Sequence, residues 1–249
     1  SYSDYYYSVD TSSIDSNNIS YAVGRVAARN ITELENYFNK VISYELNSQI
    51  QDWHSRALFV SDDEYGADSS FNDGNIHASI AFNLASELPD FIKSDYVIPI
   101  DTSSYYGKTD SIITKLSRGQ SSVFFSGHSN NELFTHDSIF IEKDIEKINN
   151  ISMPFFISMY GKQEFGRDTI NSIINSAVVS ENGAIGAISF VGIHFVPISS
   201  KIFNKIWKDL YSGLSIGDIY MKSVNNSNIL EEMRKLNIFG DPSIILKND

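Results

Sequence analysis

The sequence predicts an α/β fold: a mostly parallel central sheet flanked by helices on both faces. Three observations carry that expectation. Apolar runs of strand length alternate with segments of helical period along the chain. One run, Gly183-Ala-Ile-Gly-Ala-Ile-Ser189, is apolar almost throughout and small in side chain, which suits a central strand covered on both sides. With 42% apolar and 20% charged residues in 249, the chain can bury a sizeable core, and no internal repeat or hinge-like linker divides it.

Residues 1–20 are rich in Ser, Asp, Asn and Tyr and lack periodicity, so they are expected to form a polar N-terminal loop segment ahead of one domain over 21–249. Tyr21-Ala-Val-Gly-Arg-Val26 is a short apolar run, and Asn30 is a suitable N-cap for a helix over Glu33 to Leu46. In that helix Leu34, Phe38, Val41, Ile42 and Glu45 follow helical spacing and are expected to face inward. Ala57 to Ser61 reads as a strand ending at Asp62-Asp63-Glu64. After a Gly, Ser and Asp loop come a helix around Ile76 to Leu88 and a strand at Tyr96 to Ile100. Ile112 to Leu116 looks helical, and Ser122 to Ser126 is a strand that runs into Gly127-His128. Pro154 to Met159 is the next strand, followed by a loop from Tyr160 to Arg167 and a helix from Ile170 to Val179. Helices at Lys201 to Leu210 and Ile216 to Val224 precede Phe239-Gly-Asp-Pro-Ser243, where Asp-Pro reads as a turn feeding a final strand at Ile244 to Leu246.

Charge and composition remove several function classes. A formal charge of −12 has the wrong sign for displacing counterions from nucleic acid, so neither nucleic acid nor an anionic membrane surface is an expected partner. No window is long and apolar enough for a bilayer span, and Ser1 to Asp10 lack the basic-then-apolar pattern of a signal peptide. There is no cysteine, which removes disulfides, thiolate metal sites and a thiol nucleophile together.

In a parallel sheet, ligands collect beyond the carboxyl ends of the strands. Asp62 and Asp63, His128, and the Tyr160 to Arg167 loop fall there. A histidine at a strand end beside a small Gly127 is placed as a general base would be; a loop histidine satisfied by neighbouring backbone is the plainer alternative. Histidines 54, 77, 136 and 194 show no paired spacing that suggests zinc and read as surface or packed side chains.

The motifs around these positions resemble the gingipain-type cysteine peptidases, whose catalytic domain has the caspase-like fold. The blocks are Val23-Gly-Arg25, Tyr44-Glu45, Trp53, Ser61-Asp62-Asp63, Ser126-Gly-His128, Pro154-Phe-Phe-Ile157 and Phe239-Gly-Asp-Pro-Ser243, in the family's order and covering nearly the whole chain. The resemblance implies that His128 is the retained catalytic histidine and that Asp63 is an acid able to orient it. It also implies substrate contacts near Ser129, Phe134 and Tyr160, with core filling the alternative for Phe134 and a solvated or cation-binding carboxylate the alternative for Asp63. The family's nucleophilic cysteine falls on Gly161, or on Gln163 in a second register, and neither side chain can attack a carbonyl. Ser158, Tyr160 and Ser129 are the nearby hydroxyls, but strand alternation sends Ser158 to the face opposite Met159. Ser129 also replaces a glycine whose backbone amide serves the oxyanion in the family.

Asp62, Asp63, Glu64, Asp68 and Asp73 offer hard oxygen donors in one loop, which would suit calcium, as family members often bind it; the spacing does not match an EF-hand. No cofactor is required by this reading. The resemblance further implies a secreted or cell-surface protein. The expected function is that of a pseudopeptidase, a peptidase-fold domain that binds a polypeptide or protein partner without cleaving it. The alternatives are an active endopeptidase with His128 as base and a non-cysteine nucleophile, and a structural module of a larger secreted protein.

Overall fold

The computed structural model describes residues 4–9, 19–63, 76–135, 137–162, 172–192, 196–225, 232 and 234–248. From edge to edge, its seven-stranded sheet runs β1 (Gly24–Arg25), β9 (Leu236–Gly240), β8 (Ala184–Phe190), β7 (Phe155–Lys162), β4 (Ser122–Ser126), β2 (Arg56–Ser61) and β3 (Lys93–Val97). Five of the neighbouring pairs are parallel, and β8 with β9 is antiparallel. The sheet is therefore the expected mostly parallel one.

Period-two alternation divides its side chains between two cores. Phe59, Phe124 and Phe156 point to one face, where α3 (Ile76–Ser86), α6 (Val196–Asp209) and α7 (Ile216–Asn225) cover them with Leu84, Phe203, Trp207 and Ile219. Leu58, Val60, Val123, Phe125 and Ile157 point to the other, under α2 (Ile31–Leu46), α4 (Thr109–Ser117) and α5 (Ile173–Val179). Strands buried on both faces are apolar at most positions, with small serines between, which is why these runs stand out in the sequence.

Asn30 caps α2 as expected, its side-chain oxygen accepting from the Glu33 amide at 2.9 Å. The inward face of α2 is not the expected one. Leu34, Phe38 and Ile42 are exposed, whereas Glu33, Tyr37, Lys40 and Tyr44 are buried. The reason is that these longer side chains combine an apolar body with a polar tip that meets main-chain groups. Tyr37 Oη accepts from the Asp241 amide at 2.5 Å, and Tyr44 Oη accepts from the Lys247 amide at 2.9 Å. Lys40 Nζ donates to the carbonyls of Val178 at 2.9 Å and Ser180 at 2.6 Å, closing the C-terminal end of α5, where a cation is favoured.

The last strand also differs from expectation. β9 precedes the Asp241-Pro242 turn instead of following it, while Ile244 and Leu246 are buried beyond the turn with only an isolated bridge from Ile245 to Ser215. Gly240 ends β9 with φ +102°, and a Cβ there would sit 3.0 Å from Tyr37 Oη and 3.1 Å from the Ile185 carbonyl. The N-terminal segment is more than surface loop: a helical turn α1 (Tyr5–Ser8) brings Tyr5 into the first core beside Ile19, and Asp4 pairs with Arg25. A short hairpin of β5 (Leu133–Phe134) and β6 (Phe140–Ile141), not anticipated from sequence, follows β4.

Candidate functional site

Parallel neighbours β2 and β4 end level with each other, Ser61 opposite Ser126, so the residues that follow them emerge side by side. The Asp62 amide extends this pairing by donating to the Ser126 carbonyl at 2.8 Å. Gly127 then permits close approach: a Cβ there would lie 2.6 Å from Asp62 Cβ and 2.8 Å from the Phe125 ring. Without that methyl, the Asp62 carboxylate reaches under the next residue. Its Oδ2 accepts from the His128 amide at 2.7 Å and lies 2.9 Å from the imidazole Nδ1, while Oδ1 accepts from the Asp63 amide at 3.0 Å. The carboxylate side chain is 1% exposed and that of His128 40%, so a buried anion orients a ring that faces solvent.

The loop after His128 is locally fixed. The Thr135 amide donates to the His128 carbonyl at 2.8 Å, Ser129 bridges Phe134, and Asn130 Oδ1 accepts from the amides of Glu132 and Leu133. The Ile173 amide donates to the Asn131 carbonyl at 2.8 Å, tying this loop to α5. On the other side of β4, β7 continues the sheet with Tyr160 opposite Ser126 and runs on through Gly161 to Lys162.

A sheet of this order, with an imidazole at the carboxyl end of one strand and its carboxylate at the end of the neighbouring one, defines a caspase-like peptidase fold. The chain belongs to Peptidase family C25, which matches residues 1–247. Among solved structures it is similar to the crystal structure of the Arg-specific cysteine proteinase gingipain R, with TM-score 0.80 and 15% identity over 98% of this chain and 59% of that one. It is also similar to the complex of Porphyromonas gingivalis RgpB pro- and mature domains, with TM-score 0.72 and 15% identity over 98% and 60% of the two chains. A more distant likeness is to the Saccharomyces cerevisiae separase–securin complex, with TM-score 0.53 and 12% identity over 82% of this chain and 13% of that one. The chain thus spans about three-fifths of the gingipain chains it matches. No curated protein matches it.

The sequence-predicted residues distribute unevenly over this geometry. His128 lies at the expected strand end. The carboxylate hydrogen-bonded to its ring is that of Asp62, not the neighbouring Asp63 to which the orienting role was assigned, because successive side chains leaving a strand point to opposite sides and Asp62 is the one turned toward β4. Phe134 is 4% exposed and stacks on Phe125 with centroids 4.2 Å apart, so it fills the core and offers no surface to a substrate. Ser129 stays half-buried at the base of the hairpin. The backbone of Tyr160 and Gly161 lies at the end of β7; Gln163 lies outside the described residues, as do Glu64, Asp68 and Asp73 of the suggested calcium loop. Ser158 is buried and accepts from Trp207 Nε1 at 2.6 Å, on the face away from Met159, as alternation requires.

His77, read from the sequence as a surface or packed side chain, is packed beside this couple. It is the second residue of α3, buried, with Nδ1 3.1 Å from Ser126 Oγ and its ring edge-on to that of His128 at 5.4 Å. The arrangement can orient an imidazole and move a proton through it. Ser126 Oγ does lie within reach of an imidazole, but it is fully buried and sealed from any approaching carbonyl.

Proposed function

We propose that this chain is a pseudopeptidase domain, which holds an extended polypeptide in the crevice at the carboxyl ends of β4 and β7 and leaves it intact. The observation that carries the reading is the pairing of an ordered Asp62–His128 couple with a sequence that has no cysteine at any of its 249 positions. Proton transfer alone forms no acyl intermediate; that step needs a nucleophile beside the base. Recognition is separable from chemistry, because main-chain hydrogen bonds and side-chain pockets hold a ligand whether or not a thiolate follows. The acidic surface favours basic segments during approach. The family resemblance supports a location outside the cell or at its surface; among the described residues no helix is long and apolar enough to cross a membrane.

The test is a fluorescent peptide library followed by both polarisation and mass spectrometry. Saturable binding that a crevice-filling Ser129→Trp weakens, with every peptide recovered whole, is the expected result. Cleavage that disappears in His128→Ala would establish the active endopeptidase instead, and absence of any binding would leave a structural module.

A further inference from the structure

Three ligand-bearing side chains from three different elements meet at the head of the sheet. A nitrogen from each of His77 and His128 and an oxygen of Asp62 all lie within 4.8 Å of one another. Asp62 follows β2, His128 follows β4, and His77 opens α3, so the cluster is made by the topology and not by adjacency in sequence. We propose that Asp62, His77 and His128 form a binding site for a first-row divalent transition metal, with the Zn²⁺ ion as its probe.

The donor set decides the class of cation. Two imidazoles and one carboxylate suit zinc and its first-row neighbours, whereas calcium and magnesium take oxygen shells. Donors at tetrahedral zinc distances of about 2.0–2.1 Å lie about 3.4 Å apart, so no pair needs to close by more than about 1.4 Å, and Asp62 Oδ2 and His128 Nδ1, 2.9 Å apart, need to open by about 0.5 Å, both within the reach of side-chain torsions. The supporting contacts are those a metal site needs. Asp62 is held by the His128 and Asp63 amides, and the His77 ring is oriented by the contact of its Nδ1 with Ser126 Oγ. Asp62 and His77 are buried and His128 is half-exposed, so the protein supplies three ligands, and the outward side admits water or a donor atom from a bound molecule. The ion takes the place of the proton shared between Asp62 and His128; the site stands whether or not the crevice holds a polypeptide.

The experiment is titration of chelator-stripped protein with Zn²⁺ against a chromophoric competitor, with Co²⁺ absorption as a second readout. One equivalent per chain is expected, with a Co²⁺ spectrum free of thiolate charge-transfer bands because the chain has no cysteine. His128→Ala alters a half-exposed side chain and is checked for folding by near-ultraviolet circular dichroism. It should weaken Zn²⁺ binding by about tenfold or more, and His77→Gln should do the same. Substoichiometric uptake, affinity unchanged in folded His128→Ala, or displacement of Zn²⁺ by excess Ca²⁺ would overturn the proposal. Peptide enters none of these readings, so their failure says nothing against polypeptide binding, nor does a failure of polypeptide binding bear on them.

Discussion

Gly127→Ala isolates the contact on which the whole site is built. The added methyl would stand 2.6 Å from Asp62 Cβ, 2.8 Å from Phe125 Cζ and 3.0 Å from Asp62 Oδ2, where carbon contacts normally settle near about 3.5–4.0 Å. Something must move by about 1 Å. Phe125 is fully buried against Phe134, so the freer partner is the Asp62 carboxylate, and its displacement stretches both hydrogen bonds to His128. Overpacking of this kind costs about 1–3 kcal/mol, and weakening a charged hydrogen bond adds about 1.5–3 kcal/mol. At the low end of both ranges the total is about 3 kcal/mol, which, divided by a urea slope of about 3 kcal/mol/M, lowers the unfolding midpoint by about 1 M or more. The two tryptophans, Trp53 and Trp207, are both buried and report the transition by fluorescence. The His128 ring resonances should shift in the folded state of the variant. A midpoint within about 0.3 M of the wild type, together with unchanged His128 resonances, would refute the reasoning.

Two further outcomes follow from groups outside the site. Burial pushes Lys40 down from 10.5 to about 7, while its carbonyl partners pull toward the charged form. Between those two values the unfolded chain binds the extra proton, so folding stability relative to Lys40→Met should rise with pH from about 7, by at most about 1.4 kcal/mol per pH unit. Parallel stability curves for the two proteins would contradict it. Ser158→Ala strands the Trp207 indole N–H in the core and should cost about 1–3 kcal/mol in chemical denaturation. Peptide binding by the crevice should be untouched, since Ser158 is fully buried within β7, two residues short of Tyr160 at the strand end; a loss of binding without a loss of stability would reverse the assignment.

The central strands were legible because burial on both faces favours short, largely apolar runs, and Ser122 to Ser126 was placed to the residue. Asp62 and Asp63 were not separable in the sequence, since both are carboxylates at a strand end and only the pleat decides which one turns toward β4. The face of α2 was misread because Tyr37, Lys40 and Tyr44 are buried by what their tips bind, which a tally of apolar residues ignores. His77 lay hidden for a topological reason: it is remote in sequence from both Asp62 and His128. A signal did exist. The helix after a strand in a parallel sheet begins at that strand's carboxyl end, so the first turn of α3 belongs beside the strand ends that carry Asp62 and His128.

The two margins of the sheet bear on how the domain meets other chains. On one side β1 contributes only two residues; on the other β3 carries Lys93 and Asp95, with Asp95 clasped by Lys115, Arg118 and Gln120, and the segment at Tyr106 lies alongside just past its end. A brief rim and a charged, partly screened one both discourage a foreign strand from zipping on. Growth of the sheet from copy to copy is accordingly disfavoured, and visitors are steered to the loops at its head.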